Sequence, residues 1–550
     1  MQLTGAQILM ECLLEQNVEY IFGLPGGQIM PVYDALYDYQ DRLKHVLTCH
    51  EQGAVHAADG YARSTGKVGV CFATSGPGAT NTVTGIATAY MDSVPIVIIT
   101  GQVPVSLIGK DSFQETDIVG ITLPITKHNY FVNDINDLVD TIRNAFEIAR
   151  SGRPGPVLID IPKNIQVGKA DYKKADIIYQ KKVYKYNECD FDRIVGLINN
   201  AKKPVIFAGG GVIISEGSEE LFQFANKTQI PVLNTLMGLG SYPRTDKLSL
   251  GIIGMHGFRE ANLAMDNSDL IIAIGARFSD RVTGDINRFA KNATIIHIDI
   301  DESEVSKNVK AHYGLIGDIK DILSNMIPLL EVKDRHEWIE EIKGFMKKDS
   351  SGICDFIPEN IFKTAHDILG SDTLVTTEVG QHQMWTAQYW PFMKPRTFIT
   401  SGGLGTMGYG FGAAIGTQVG NPDKTVLHVA GDGSFRMNLN ELATVAHYKL
   451  PIITLLMKNN VLGMVRQWQT LFFQKRYSST DLADVIDYVK LADAFGIKGV
   501  NVNDLDSLRL NIEEAYKERK PRLIVCDIDC NCSVFPIVPP GEAINNQRFE

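Results

Sequence analysis

The 550-residue sequence predicts an α/β protein of three blocks, each built on a mainly parallel sheet. Three observations lead there. Polar joints divide the chain into three α/β stretches, each near the size of one core, about 150 residues. The first and third stretches share a plan of strand, glycine-rich turn and helix. Residues 425–464, TVLHVAGDGSFRMNLNELATVAHYKLPIITLLMKNNVLGM, read as one βαβ unit. A content of 44% hydrophobic and 21% charged residues belongs to a globular chain. The net charge of -11, with no basic cluster, argues against nucleic acid as a partner. No apolar run approaches the ~18 residues of a membrane span. Eight cysteines without a repeated spacing suggest reduced thiols in a cytoplasm. Cys526, Cys530 and Cys532 cluster at a strand end, but no His or Cys pair completes a metal site, so they read as buried or loop thiols.

The first block runs to about residue 165. It opens with MQLTGAQILMECLLEQ, an amphipathic helix that carries Glu11 and Glu15 and no preceding basic region, unlike a signal or transit peptide. Phe22-Gly23-Leu24-Pro25-Gly26-Gly27 follows a short strand and must turn sharply. His50-Glu51-Gln52-Gly53-Ala54 enters a helical face over residues 54–62, and a glutamate at such a helix start is more often a cap or dipole partner than a catalyst. Ala73-Thr74-Ser75-Gly76-Pro77-Gly78-Ala79-Thr80-Asn81 follows a strand over 68–72 and opens a helix whose start suits an anion. It is no P-loop, because Gly66-Lys67 is followed by Val68. The block closes with the turn and buried strand of residues 153–162, and a Lys- and Tyr-rich linker spans 169–186.

The second block, from about 191 to 330, has strands near 204–208, 270–274 and 294–300. Gly209-Gly210-Gly211, Gly254-Met255-His256-Gly257, residues 275–281 (GARFSDR) and Asp299-Ile300-Asp301 look like successive strand-end loops around a dinucleotide. A nucleotide-fold domain without a ligand would carry the same loops. A charged joint spans 331–350, and the third block runs from 353 to 529 before a Pro-rich tail at 536–540. Within it, Gly403-x-Gly405-x-x-Gly408 formally matches a dinucleotide fingerprint after a strand over 397–400, a weak signal by itself. Domains are therefore set at 1–168, 190–332 and 353–535, with a tail over 536–550.

In the βαβ unit, residues 425–430 read as a strand, Gly431-Asp432-Gly433-Ser434 as a tight loop, 437–448 as a helix and 451–458 as a strand ending at Asn459-Asn460. A right-handed crossover places Asp432 and Asn459 at the carboxyl ends of neighbouring strands. A carboxylate, an amide oxygen and a loop carbonyl suit a hard cation such as Mg²⁺, which keeps positions for phosphate and water. Gly431 and Gly433 let the backbone approach a diphosphate. An ordinary strand-to-helix turn would also explain GDGS alone.

The GDG triplet followed by Asn459-Asn460, 26 residues beyond Gly433, resembles the thiamine diphosphate enzymes. That resemblance implies three Rossmann-like domains with mainly parallel six-stranded sheets: a pyrimidine-binding domain, a central domain and a diphosphate- and Mg²⁺-binding domain. It narrows further. LPGGQIMPVYDAL, CHEQG, ATSGPGATN, GQVP with Phe113-Gln114-Glu115, ITKHNYFV, SGRPGPVLIDIPK, TLMGLGSYP, GMHG, GARFSDRVTG, HIDID, GQHQMW, SGGLGTMG, GDGSF and LGMVRQWQ resemble the catalytic subunits of the acetohydroxyacid synthase (acetolactate synthase) family over residues 1–540.

By this resemblance Asp432, Asn459 and the carbonyl of Val461 hold Mg²⁺. Glu51 hydrogen-bonds the aminopyrimidine of a cofactor bound to the sister chain, which promotes formation of the ylid. Gly405 and Met407 lie against the thiamine rings, although Met407 also reads as simple core packing. Gly27 and Gln114 orient carbonyl oxygens near the reacting carbon, Lys163 attracts a ketoacid carboxylate, and Trp468 lines the second-substrate pocket. Gly209, Gly210, Gly211, Gly254, Met255, His256, Gly257, Gly275, Arg277, Arg281, Asp299 and Ile300 serve a structural FAD. Ser279 stands where Asp is common in that family's Arg-Phe-x-Asp-Arg segment. The cofactor-binding set also takes in Arg153, Thr235, Leu236, Glu304, Gly317, Asp318, Val379, Gly380, Gln381, His382, Gly402, Gly403, Gly431, Gly433, Ser434, Leu462, Gly463 and Met464.

The reaction implied is decarboxylation of pyruvate and ligation of the enamine to pyruvate or 2-ketobutyrate, giving 2-acetolactate or 2-aceto-2-hydroxybutyrate for branched-chain amino acid synthesis. The resemblance also implies a homodimer or tetramer and a small regulatory subunit. An FAD-using pyruvate oxidase, a catabolic acetolactate synthase and a silent binding scaffold are the alternatives. Intact Glu51, Asp432 and Asn459 speak against the scaffold.

Overall fold

The computed structural model describes residues 1–176, 179, 182, 184, 188–346, 355–483 and 486–549. Ile353, Tyr186 and Ser350, where the third block and the ends of the two joints are expected, lie outside the described residues, as does Glu550 of the tail.

Three six-stranded sheets, every strand pair parallel, organise the chain. The first sheet runs Lys44–Leu47, Tyr20–Gly23, Gly69–Ala73, Ile96–Gln102, Val157–Pro162, His128–Phe131. The third runs Phe398–Ile399, Leu374–Thr377, Val426–Gly431, Ile452–Lys458, Arg522–Asp527, Lys498–Val502. Numbered within each sheet, both have the order 2-1-3-4-6-5, so the first and third domains share one topology. The middle sheet, Ser249–Ile252, Val232–Asn234, Pro204–Ala208, Leu270–Ile274, Thr294–Asp299, Tyr313–Ile316, has the order 3-2-1-4-5-6 of dinucleotide-binding folds. Helices cover both faces of such sheets. Ile96–Gln102, Val157–Pro162 and Leu270–Ile274 are accordingly buried at every position; Leu270–Ile274 reads as an unbroken apolar run, and the other two carry Thr100, Gln102 and Asp160 among apolar residues.

The first and third domains meet through a helix crossing. Glu51–Thr65 lies against Gly410–Gly420 so closely that a Cβ on Gly416 would stand 1.7 Å from the carbonyl oxygen of Ala57, and one on Gly60 would stand 2.2 Å from that of Ala413. Both helices are rich in Gly and Ala because nothing larger fits.

Several expectations are corrected. The GDGS turn is a helical turn, Asp432–Phe435, because the backbone closes hydrogen bonds as soon as the strand ends at Gly431. The helix expected over 437–448 is a 3-10 turn, Leu439–Glu441, leading into Leu442–Tyr448. The linker begins as a strand, Lys169–Asp171, antiparallel to Gln2–Thr4, which ties the start of the chain to the end of the first domain. The charged joint contains the helix His336–Lys343, whose Trp338 is buried on the middle sheet and donates Nε1–H to Pro204. Arg335 before it is buried and donates to the carbonyls of Thr228, Ile198 and Ala201. The tail belongs to the middle domain. Val538 N–H donates to Met255, Ile537 and Arg548 pair, Gly284 bridges Ala543, and Ile544 is buried in that core.

Candidate active site

Parallel pairing of Val426–Gly431 with Ile452–Lys458 puts Gly431 beside Met457, so Asp432 and Asn459 leave adjacent strand tips. Asp432 accepts from the N–H of Asn460 at 2.7 Å, and Asn459 Oδ1 accepts from Val461 N–H at 3.2 Å. Asn459 Nδ2 donates to Gln381 Oε1 at 3.2 Å, so the start of the Gln381–Tyr389 helix joins the group. A Cβ on Gly463 would lie 2.0 Å from Gln381 Oε1, and one on Gly431 would lie 2.7 Å from His382 Nδ1. The two glycines let Gln381 and His382 close in. Burial lowers the His382 pKa to about 4 and leaves it neutral, and its Nε2 has no hydrogen-bond partner among the described residues. No group of three or more His, Cys, Asp or Glu suited to a metal occurs among the described residues. Asp432, an amide oxygen and a main-chain carbonyl suit a cation that completes its shell with phosphate oxygens and water. A buried imidazole with an unpartnered Nε2, beside a glycine-lined strand tip, fits a diphosphate.

Sequence reasoning missed the carboxylate that builds this corner. Glu378 is fully buried and accepts from Gly408 N–H at 2.7 Å, Phe411 N–H at 3.0 Å and the Ser434 hydroxyl at 2.7 Å. His428 Nε2 stands 3.7 Å from it. Burial raises the Glu378 pKa, but His428, Ser434 and Phe411 outweigh burial and hold it below the ordinary value. Glu378 thus fixes the segment that carries Gly405 and Met407 to the turn that carries Asp432. A single glutamate between Thr377 and Val379 gives no sequence signal of that role.

Next to this corner opens a cavity of about 1320 Å³ between the middle domain and its two neighbours. Arg153, Gly210, Gly211, Thr235, Leu236, Met255, His256, Gly275, Arg277, Arg281, Asp299, Ile300, Glu304 and Asp318 line it, with Val379, Gly380, Gly402, Gly403, Gly405, Met464 and Trp468. Gly209, Gly254, Gly257 and Gly317 stand behind that lining: a Cβ on Gly209 would meet the carbonyl of Gly275 at 2.1 Å. Gly275, at φ +57°, presses on Gly211, so two strand-end turns abut with bare backbone toward the cavity. Arg153 reaches from the first domain to Glu304 at 2.7 Å and Asp301 at 3.3 Å. Trp468 stands edge-on to Phe472 under the Arg281 guanidinium, and its Nε1–H has no acceptor among the described residues. The volume, glycine-lined strand ends and flanking acidic and basic side chains fit a dinucleotide.

The remaining predicted residues gather at the carboxyl edge of the first sheet. Lys163 Nζ donates to the Gly27 carbonyl at 3.1 Å. A Cβ on Gly27 would meet nothing within 4 Å, so packing within the chain does not demand glycine there. Gln114 sits at φ +62°, with its backbone against Gly76, and its loop is anchored because Gln102 Nε2 donates to both Thr116 and Asp160. Glu51 opens the Glu51–Thr65 helix, is buried, and accepts from Asn81 Nδ2 at 2.9 Å. A second carboxylate missed in the sequence, Glu441, accepts from the N–H groups of Cys49 and His50 and from the Thr444 hydroxyl, steadying the start of that helix.

Family models match most of the chain: the N-terminal TPP binding domain of thiamine pyrophosphate enzymes over residues 3–121, the central domain over 191–326 and the C-terminal TPP binding domain over 378–526. The chain is 46% identical over 562 residues to the probable acetolactate synthase large subunit of Methanocaldococcus jannaschii, covering 98% of this chain and 94% of the relative. It is 45% identical over 567 residues to the acetolactate synthase large subunit of Corynebacterium glutamicum, covering 100% and 90%. The acetolactate synthase isozyme 2 large subunit of Escherichia coli is 44% identical over 558 residues, with 100% of both chains covered.

Proposed function

The chain belongs to the thiamine pyrophosphate enzymes and, among them, to the acetolactate synthase large subunits, and we propose that it makes 2-acetolactate from two molecules of pyruvate and 2-aceto-2-hydroxybutyrate from pyruvate and 2-ketobutyrate. One observation carries this reading: alignment over nearly the whole length with chains of that name. In the reaction pyruvate loses CO₂, and its two-carbon remainder forms a carbon–carbon bond to the ketone of the second ketoacid.

Asp432, Asn459 and the Val461 carbonyl would hold Mg²⁺ against a diphosphate, with His382 as a further donor. Thiamine diphosphate, when bound, supplies the carbon nucleophile and the electron sink for decarboxylation. Glu51 would hold a proton against the pyrimidine ring of a cofactor seated on a second chain, which makes a homodimer the smallest active unit. Its buried position supports this, because a carboxylate out of water bonds its partner more strongly. Gln114 and Gly27 would orient the ketone oxygens, and Lys163 would draw in the ketoacid carboxylate. Trp468 would favour an ethyl over a methyl group, a preference of about 1–3 kcal/mol per methylene. FAD would fill the large cavity with a structural role, since the net reaction has no redox step. The names of the relatives, large subunits, support a small regulatory partner. Among the described residues no helix is long and apolar enough to cross a membrane. The free thiols Cys12, Cys71 and Cys526, all buried, support a reducing, cytoplasmic setting.

Product analysis tests the reading. Purified protein given pyruvate and 2-ketobutyrate should form both acetohydroxyacids, only with thiamine diphosphate and Mg²⁺ present, and should be yellow. Oxygen uptake with acetyl phosphate formation would replace this reading with an oxidase. A colourless, fully active protein would remove the flavin from it.

A further inference from the structure

Residues 401–408 form a wall between two sites. Gly402, Gly403 and Gly405 line the large cavity, and the segment ends where Gly408 N–H donates to Glu378 and Ser434 beside Asp432. Four glycines and an exposed Leu404 give this wall little packing of its own. Glu378 holds its end at Gly408, and the rest is held by a helix of the first domain, Val83–Asp92. Asp92 accepts from Gly403 N–H at 2.7 Å and Gly402 N–H at 3.0 Å, and Thr88, one turn earlier, shares a 2.7 Å hydrogen bond with the Thr406 hydroxyl. Arg63 Nη2 also donates to Asp92 at 3.0 Å, while its Nη1 donates to Thr400 at 2.8 Å and its Nε to Asp59 at 2.6 Å. Tyr409 completes the cluster by donating to Asp59 at 2.5 Å. The carboxylates of Asp59 and Asp92 are 0% exposed and Arg63 is 10% exposed. Two buried carboxyl groups share one guanidinium, and the Tyr409 hydroxyl on Asp59 and the two glycine N–H groups on Asp92 supply the donors that Arg63 does not.

We propose that Asp92 is a positioning residue for both cofactor sites: by gripping Gly402 and Gly403 it sets one wall of the dinucleotide cavity and, at the same time, the loop that receives the thiamine rings. This rests on the cofactor reading above. A flavin in the cavity braces the segment from its other side, so the two cofactors stabilise each other's sites through one strip of backbone. That gives a dinucleotide work to do in a reaction that transfers no electrons.

Asp92→Asn tests it. The substitution is isosteric and leaves Arg63 paired with Asp59, so the fold should persist, checked by circular dichroism and melting of the ligand-free protein. Thiamine diphosphate binding at saturating Mg²⁺ is followed by tryptophan fluorescence, and FAD retention by flavin absorbance after gel filtration. Both dissociation constants should rise by about tenfold or more, the scale of one charge-assisted hydrogen bond. The KM for thiamine diphosphate should change more than kcat. Thr88→Val, which removes only the second hold, should weaken both cofactors by a smaller factor. Folded Asp92→Asn protein that binds both as wild type does overturns the inference, and so does loss of one cofactor alone. Wild-type protein that takes up neither overturns the cofactor reading, and this inference with it.

Discussion

Asp160 is a carboxyl out of water at the carboxyl edge of the first sheet, 1% exposed, accepting from Thr100 Oγ1 at 2.7 Å and Gln102 Nε2 at 3.0 Å. Burial pushes its pKa up to about 7, with Asp117 adding to the rise and the Thr100 and Gln102 bonds opposing it. The folded protein therefore holds a proton that the unfolded chain releases near pH 4, and stability falls as pH rises from about 4 to about 7, by an amount of order a few kcal/mol. Asp160→Asn cannot ionise. Its melting temperature relative to wild type should be higher at pH 8 than at pH 5; a gap independent of pH would show that Asp160 stays charged throughout. Because Gln102 also grips Thr116, the same residue anchors the loop that carries Gln114. Nothing about Asp160 stands out in GRPGPVLIDIP, where it alternates with apolar neighbours like any strand residue. Asp92, Glu378 and Glu441 were silent for the same reason: each acts on backbone N–H groups distant in sequence, and such partners leave no spacing to read.

At the scale of elements, the crossing of Glu51–Thr65 with Gly410–Gly420 is the tightest feature joining the first and third domains. Gly416→Ala would put a methyl group 1.7 Å from the Ala57 carbonyl oxygen, and rigid backbone on both sides leaves little room to relax. It should cost about 1–3 kcal/mol or more and lower the melting temperature. Gly196→Ala, in the helix Glu188–Asn200 with nothing within 4 Å of its Cβ, should stabilise by up to about 1 kcal/mol. Equal effects from the two substitutions in thermal melts would mean that the crossing is not packed as described. The strands Pro204–Ala208 and Leu270–Ile274 were legible to the residue because sheets covered on both faces demand unbroken apolar runs. The helix His336–Lys343 was hidden because its outward face is charged and Trp338, Ile339 and Ile342 are its inward residues. The place of the Pro-rich tail was not legible either, because its backbone pairs with the middle domain at residues far away in sequence. In the proposed metal corner, the adjacency of Asp432 and Asn459 followed from crossover handedness, whereas the closeness of Gln381 and His382 depends on how three strand tips are staggered.

At the scale of the whole molecule, the proposed chemistry is divided between two edges of one chain. Glu51, Gly27, Gln114 and Lys163 belong to the first domain, and Asp432, Asn459 and Val461 to the third; Glu441, from the third domain, steadies the very helix that Glu51 opens. If the edges of two chains complete one site, defects in different edges must complement. Glu51→Gln alone should nearly abolish acetolactate formation, because the amide cannot exchange the proton, and Asp432→Ala alone should do so by losing Mg²⁺. A mixed dimer of the two has one site with both defects and one with neither. Co-refolded or co-expressed in equal amounts, half the dimers are mixed and each has one sound site of two, so activity should recover to about a quarter of wild type. Mixing that leaves both variants inactive, with exchange of subunits verified by mass spectrometry, would mean that a single chain supplies Glu51 to its own metal corner, and the dimeric site would have to be abandoned.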